Sequence, residues 1–135
     1  MADFYKWDPV KLTTKVKEMD NEHQELIRLM NKVYSSVESK KSFAELKKEL
    51  TDLGAYTTKH FKDEEAYMEK VKYPGVATHK IIHAKLLQQF TEYLTEFEKT
   101  KNLDEKFFKF LSVWLTSHIM GIDIKYGEHA TKAAA

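Results

Sequence analysis

The sequence predicts an all-α protein: an up-down-up-down four-helix bundle with an irregular N-terminal arm. Three observations carry that prediction. Gly and Pro are scarce, four and two in 135 residues, too few for the many tight turns of a sheet. Apolar residues recur at helical spacing in four long stretches. The breaks between those stretches are short, which sets consecutive helices antiparallel. At this length, with 42% hydrophobic residues, the chain is one domain with a real core. It divides into an arm (1–18), a helical bundle (19–126) and a C-terminal tail (127–135).

In the arm, Trp7, Leu12 and Val16 are placed to pack on the domain, and Pro9 argues against an early helix. The first helix is expected to start near Asp20, with Leu26, Ile27, Met30 and Val33 inward, and to fade around "SSVESKK". Ser42 and Glu45 fit a capping box for the second helix. Its stripe is Leu46, Leu50, Leu53, Tyr56 and Tyr67 or Met68, and it runs to about Lys70, where "YPG" stops it. The third runs from about Val76 to Thr100, with Ile82, Leu86, Phe90, Tyr93, Leu94 and Phe97 inward. "KNLDEK" is a break, with Asp104 as cap of a fourth helix. That helix carries Phe107, Phe108, Leu111, Trp114 and Leu115, then meets Gly121.

Composition excludes several functions. A net charge of +1, with lysines and glutamates mixed along the chain, gives no reason to expect nucleic acid or an acidic membrane as partner. With no cysteine there are no disulfides, thiolate metal sites, thiol catalysis or iron–sulfur clusters. The N-terminus lacks an apolar run of signal-peptide type, and no stretch is long and apolar enough to span a membrane. A cytoplasmic monomer is expected.

The histidines carry the chemistry. His60 and Glu64 lie four apart, as do His79 and His83, so each pair shares a helix face. The first helix adds His23, and the fourth adds His118 and Asp123. Each piece alone is weak evidence: a single His is more often a hydrogen-bonded or surface residue, and an i,i+4 pair more often faces solvent. Together they would put five imidazoles and two carboxylates in one core, very costly to bury without a metal. His129, near the chain end, falls outside this pattern and is assigned no ligand role.

Two six-coordinate irons offer twelve positions. Five imidazoles, two bridging carboxylates and one bridging oxo or hydroxo group occupy eleven, which leaves one open for a diatomic ligand. Zinc, which favours a closed tetrahedron in structural sites, fits this donor set less well. His118 and Asp123 also pose a geometric problem. Five steps of regular α-helix would turn them about 140° apart, so the backbone between them is expected to widen into a π-type turn or a helix end, with Gly121 permitting it. Tyr126 is expected to steady Asp123 by a hydrogen bond.

The segments "HFKDEEAYM", "YPGVATHKIIH" and "WLTSHIMGIDIKY", with His23 upstream, resemble the hemerythrin family, specifically its single-domain bacterial members. The likeness runs from Trp7 to Tyr126. It implies an oxo- or hydroxo-bridged pair of iron ions. His79, His83 and His118 would hold one, His23 and His60 the other, which keeps the open position, and Glu64 and Asp123 would bridge. Leu26, Phe61, Trp114, Leu115 and Ile119 match the family's apolar O2 pocket and are expected to serve two purposes, packing the core and keeping the site dry. The implied function is reversible O2 binding for storage or delivery, with an unidentified protein to receive the oxygen. The alternatives are a di-iron enzyme acting on peroxide or nitric oxide, and an oxygen or iron sensor working with a separate partner. A ferritin-like site is disfavoured because no histidine has a Glu three residues before it.

Overall fold

A computed structural model describes residues 5–134, apart from the side chains of 120, 121, 133 and 134. Its elements are α1 (Lys17–Glu38), α2 (Phe43–Lys70), α3 (Val76–Thr100), α4 (Glu105–Val113), a π-helical segment (Trp114–Asp123) and α5 (Ile124–Ala134). The last three run on as one rod, so the architecture is a four-helix bundle. No helix among the described residues is long and apolar enough to cross a membrane.

The caps follow the side chains. Ser42 Oγ accepts the Glu45 backbone N–H at 3.2 Å and opens α2. Asp104 Oδ1 accepts the N–H groups of Lys106 and Phe107 and opens α4. After α2 and α3 the chain turns through left-handed lysines, Lys72 and Lys101. The core joins Leu26, Met30 and Val33 of α1 to Leu50, Leu53 and Phe61 of α2, Phe90 and Phe97 of α3, and Phe107 and Leu111 of α4. Met68, not Tyr67, is the fully buried residue on its turn of α2.

Two boundaries and one burial pattern differ from the sequence reading. First, α1 begins at Lys17, one turn before Asp20. Asp20 does not cap the helix; its carboxylate accepts Thr13 Oγ1 at 2.5 Å, Thr14 Oγ1 at 2.7 Å and the Thr14 backbone N–H at 2.8 Å, and so ties down the arm. Leu12 and Val16 are buried as a result, and Trp7 packs at the core's edge. Second, residues 127–134 continue the rod as helix. Gly127 is a point of close approach there: a Cβ on it would lie 1.8 Å from the Thr14 carbonyl oxygen. His129 donates from Nε2 to the Val71 carbonyl at 2.9 Å, which pins this extension to the end of α2. Third, α3 buries less than its pattern implies. His79, His83, Phe90 and Phe97 are buried, but Ile82, Leu86, Tyr93 and Leu94 are only half-buried.

Candidate metal centre

All four rods send side chains to one place. His23 comes from α1, His60 and Glu64 from α2, His79 and His83 from α3, and His118 and Asp123 from the π-helical segment. All seven are buried. On α2 and α3 the pairs converge because i and i+4 stack on one face. On the fourth rod the backbone is π-helical from Trp114 through Asp123. Its i→i+5 bonding brings residues five apart back into line, and both His118 and Asp123 point inward. The widening is longer than a single turn at Gly121 and starts before His118.

The five Nε2 atoms face the two carboxylates. His79 and His118 lie 2.9 Å from Asp123 Oδ1, and His23 lies 3.0 Å from Asp123 Oδ2 and 3.1 Å from Glu64 Oε2. His60 and His83 lie 3.3 and 3.2 Å from Glu64 Oε1. The donor atoms form two overlapping groups, each within 4.8 Å: His79, His83, His118, Glu64 and Asp123, and His23, His60, Glu64 and Asp123. Both carboxylates belong to both groups.

Short distances do not make these contacts good hydrogen bonds. Glu64 Oε1, His83 Nε2 and both Asp123 oxygens are buried without a properly directed partner among the described residues. A buried polar atom left in that state is costly. Lone pairs aimed at a common point instead suit a cation. The donor set of imidazole and carboxylate fits first-row transition metals, iron among them, and two groups with shared carboxylates fit a bridged pair.

The electrostatics agree. Burial opposes charge on His23, but the Asp123 and Glu64 carboxylates set against its ring outweigh it and raise its pKa to about 10. His60 is also raised: burial opposes it, and the charge of Glu64 and the hydrogen bond to Glu22 prevail. Burial likewise pushes Glu64 and Asp123 upward, yet the surrounding imidazoles hold both below the usual carboxylate range. The two buried anions thus demand positive charge from whatever faces them.

A second ring of residues fixes the cluster. Glu22 Oε1 accepts the Nδ1–H of His60 at 2.6 Å, and Glu65 Oε2 accepts that of His83 at 2.8 Å. Each leaves Nε2 as the atom facing the cluster. Sequence reasoning missed both glutamates. Each adjoins a member of the cluster in sequence, His23 or Glu64, but serves a histidine on another helix, and no spacing rule encodes that reach. Tyr126 corrects an expectation: its hydroxyl donates to Glu64 Oε2 at 2.6 Å and not to Asp123. The α5 turn carries its ring across to α2, where it packs on Tyr67. Burial beside the two carboxylates raises the Tyr126 pKa far above its ordinary value, so this hydroxyl keeps its proton.

Leu26, Phe61, Trp114, Leu115 and Ile119 all lie in the main buried cluster. Phe61 bears most directly on the site. Its ring stacks parallel on His83 at 3.8 Å and lies 6.0 Å from both His60 and His118, and 5.8 Å from Trp114.

Comparison with known proteins gives a consistent pattern. The family model "Hemerythrin HHE cation binding domain" matches residues 14–130. A bacteriohemerythrin of Pseudomonas aeruginosa is 31% identical over 117 residues, which is 85% of this chain and 74% of that protein. The myohemerythrin of Riftia pachyptila is 31% identical over 122 residues, 90% of each chain. Among solved structures, a wild-type hemerythrin superposes with a TM-score of 0.85 at 27% identity, covering 94% of this chain and 98% of that one. A hemerythrin variant with one leucine changed to alanine gives 0.87 at 26% identity, covering 96% and 99%.

Proposed function

The chain belongs to the hemerythrin family, and from that premise we propose that it binds O2 reversibly at a non-haem di-iron centre, for oxygen storage or delivery. One observation carries the reading: two overlapping donor groups, both containing Glu64 and Asp123, inside a buried cluster of five imidazoles. We assign His79, His83 and His118 to one iron, His23 and His60 to the other, and Glu64 and Asp123 to both. The second group has one imidazole fewer, and the open position for O2 would fall on that side.

When bound, the iron pair supplies the electrons that O2 takes up on binding and returns on release. The protein's task is to keep that exchange free of water and stray protons. Phe61, Leu115 and Ile119 are apolar and buried beside the ligands, which excludes solvent. Glu22 and Glu65 hold His60 and His83 in the Nδ1–H tautomer, so both present Nε2 lone pairs. Tyr126 holds its own proton and spends it on a hydrogen bond to Glu64.

The test is an oxygenation cycle on iron-loaded protein, followed by absorption spectroscopy. The reading requires a band that forms with O2, vanishes on deoxygenation and returns over repeated cycles, at one O2 per two irons. One-way oxidation, or turnover of peroxide with no reversible band, would replace it with an enzyme.

A further inference from the structure

Aromatic rings close part of the seam between α3 and α4. There Tyr93 packs on Phe107 and Phe110, with ring centroids 5.6 and 5.1 Å apart. Alongside lies a groove of about 500 Å³, a volume in the roughly 300–1,000 Å³ range of small-molecule sites. Ile82 and Leu86 wall it on the α3 side, and Phe110 and Val113 on the α4 side, with buried Trp114 beneath. The four wall residues are half-buried or exposed, Val113 at 53%. This is the side of α3 whose apolar stripe the bundle leaves uncovered.

The groove is polarised. Lys106 and Lys109 line it, one turn apart on α4, and both are exposed. Neither makes an ion pair among the described residues, whereas Lys47, Lys48, Lys59 and Lys80 do. Toward the metal centre the lining includes His118, whose ring is buried and whose Nδ1 has no hydrogen-bond partner among the described residues.

We propose that this groove binds an anionic amphiphile, a free medium-chain carboxylate with its head at Lys106 and Lys109 and its chain lying over Trp114. The unpaired lysines select the charge of the head, and the apolar walls select the chain. From Lys106 to Val113 the rod advances about 11 Å at 1.5 Å per residue, and the shorter-rise π-helical turns carry it on to His118, room for a chain of about a dozen carbons. An occupant would reach the metal centre through its outer side. It would cover Trp114 and His118, and Phe61 links both to His83. The proposal does not depend on what the centre does with O2.

Calorimetric titration of the iron-loaded protein with dodecanoate, below its micelle concentration, tests it. Dodecyltrimethylammonium supplies the same chain with a cationic head, and acetate supplies the head alone. The expected result is one saturable site for dodecanoate, at least tenfold weaker binding of the cation, and none of acetate. The double variant Lys106→Glu with Lys109→Glu should weaken dodecanoate at least tenfold, and Val113→Glu should abolish its binding. All three residues are exposed, so the fold is retained, which iron content and far-UV circular dichroism verify. The proposal is overturned by the absence of saturable uptake, by equal affinity for both amphiphiles, or by an affinity indifferent to these variants. It is also overturned by binding to anionic lipid vesicles without uptake of monomeric dodecanoate.

Discussion

Replacing Phe61 by alanine probes the dry wall of the site. Phe61 is 2% exposed, and its ring lies face to face with His83 at 3.8 Å. Truncating a buried phenylalanine costs about 3–5 kcal/mol, and the ring contacts with three imidazoles place this position toward the upper end. In a domain of this size that is a fall in melting temperature of roughly 10–20 °C. The void would not stay dry. A cavity walled only by aliphatic groups excludes water, but this one would border His60, His83 and His118, which give water polar partners. Water beside the ligands should hasten the irreversible oxidation of the oxygenated protein by about tenfold, or about 1.4 kcal/mol of barrier. Phe61→Leu keeps most of the apolar volume and loses mainly the stacking, about 0.5–1.5 kcal/mol, so it should oxidise at close to the wild-type rate. The assay is the decay of the oxygenated spectrum for the three proteins in one buffer, beside their thermal melts. If Phe61→Ala melts early yet oxidises no faster than wild type, water exclusion by this ring is not what protects the centre.

Other changes test other parts of the account. Leu115→Ala removes three carbons from a fully buried site; at about 0.8 kcal/mol each plus a cavity contribution, it should cost about 3–4 kcal/mol and also speed oxidation, read by the same decay. Tyr126→Phe deletes the hydrogen bond to Glu64 and should cost about 1.5–3 kcal/mol; unchanged urea denaturation of the metal-free protein would show that the bond is not stabilising. Gly127→Ala drives a Cβ into the Thr14 carbonyl and should displace the arm, at about 1–3 kcal/mol; limited proteolysis should then cut near residues 8–16, where wild type resists.

Most of the bundle was legible because its signals are local. Ser42 and Asp104 are caps by chemistry, and the apolar spacing of α2 needs no knowledge of its neighbours. The π-helical segment was legible for a different reason: His118 and Asp123 cannot both face inward on regular helix, so the chemistry dictated the backbone. What stayed hidden depends on distant partners. Asp20 marks the expected start of the first helix in sequence and turns out to hold Thr13 and Thr14 of the arm. The expected tail from residue 127 is helix, and Gly127 proves to be a contact point with residue 14. Glu22, Glu65 and Tyr126 each reach a residue at least 18 positions away on another element. Nothing within a helical turn of them encodes that choice. The half-buried stripe of α3 reads as core in sequence and only the packing shows it open.

The central claim is that seven side chains hold two irons with both carboxylates shared. Anomalous diffraction at the iron edge, from crystals of iron-loaded protein, tests it most directly. The account predicts two peaks within the bundle. One should lie in bonding reach of Nε2 of His79, His83 and His118, the other in reach of Nε2 of His23 and His60, and each should touch one oxygen of Glu64 and one of Asp123. A single peak, or two peaks that do not share those carboxylates, would contradict it.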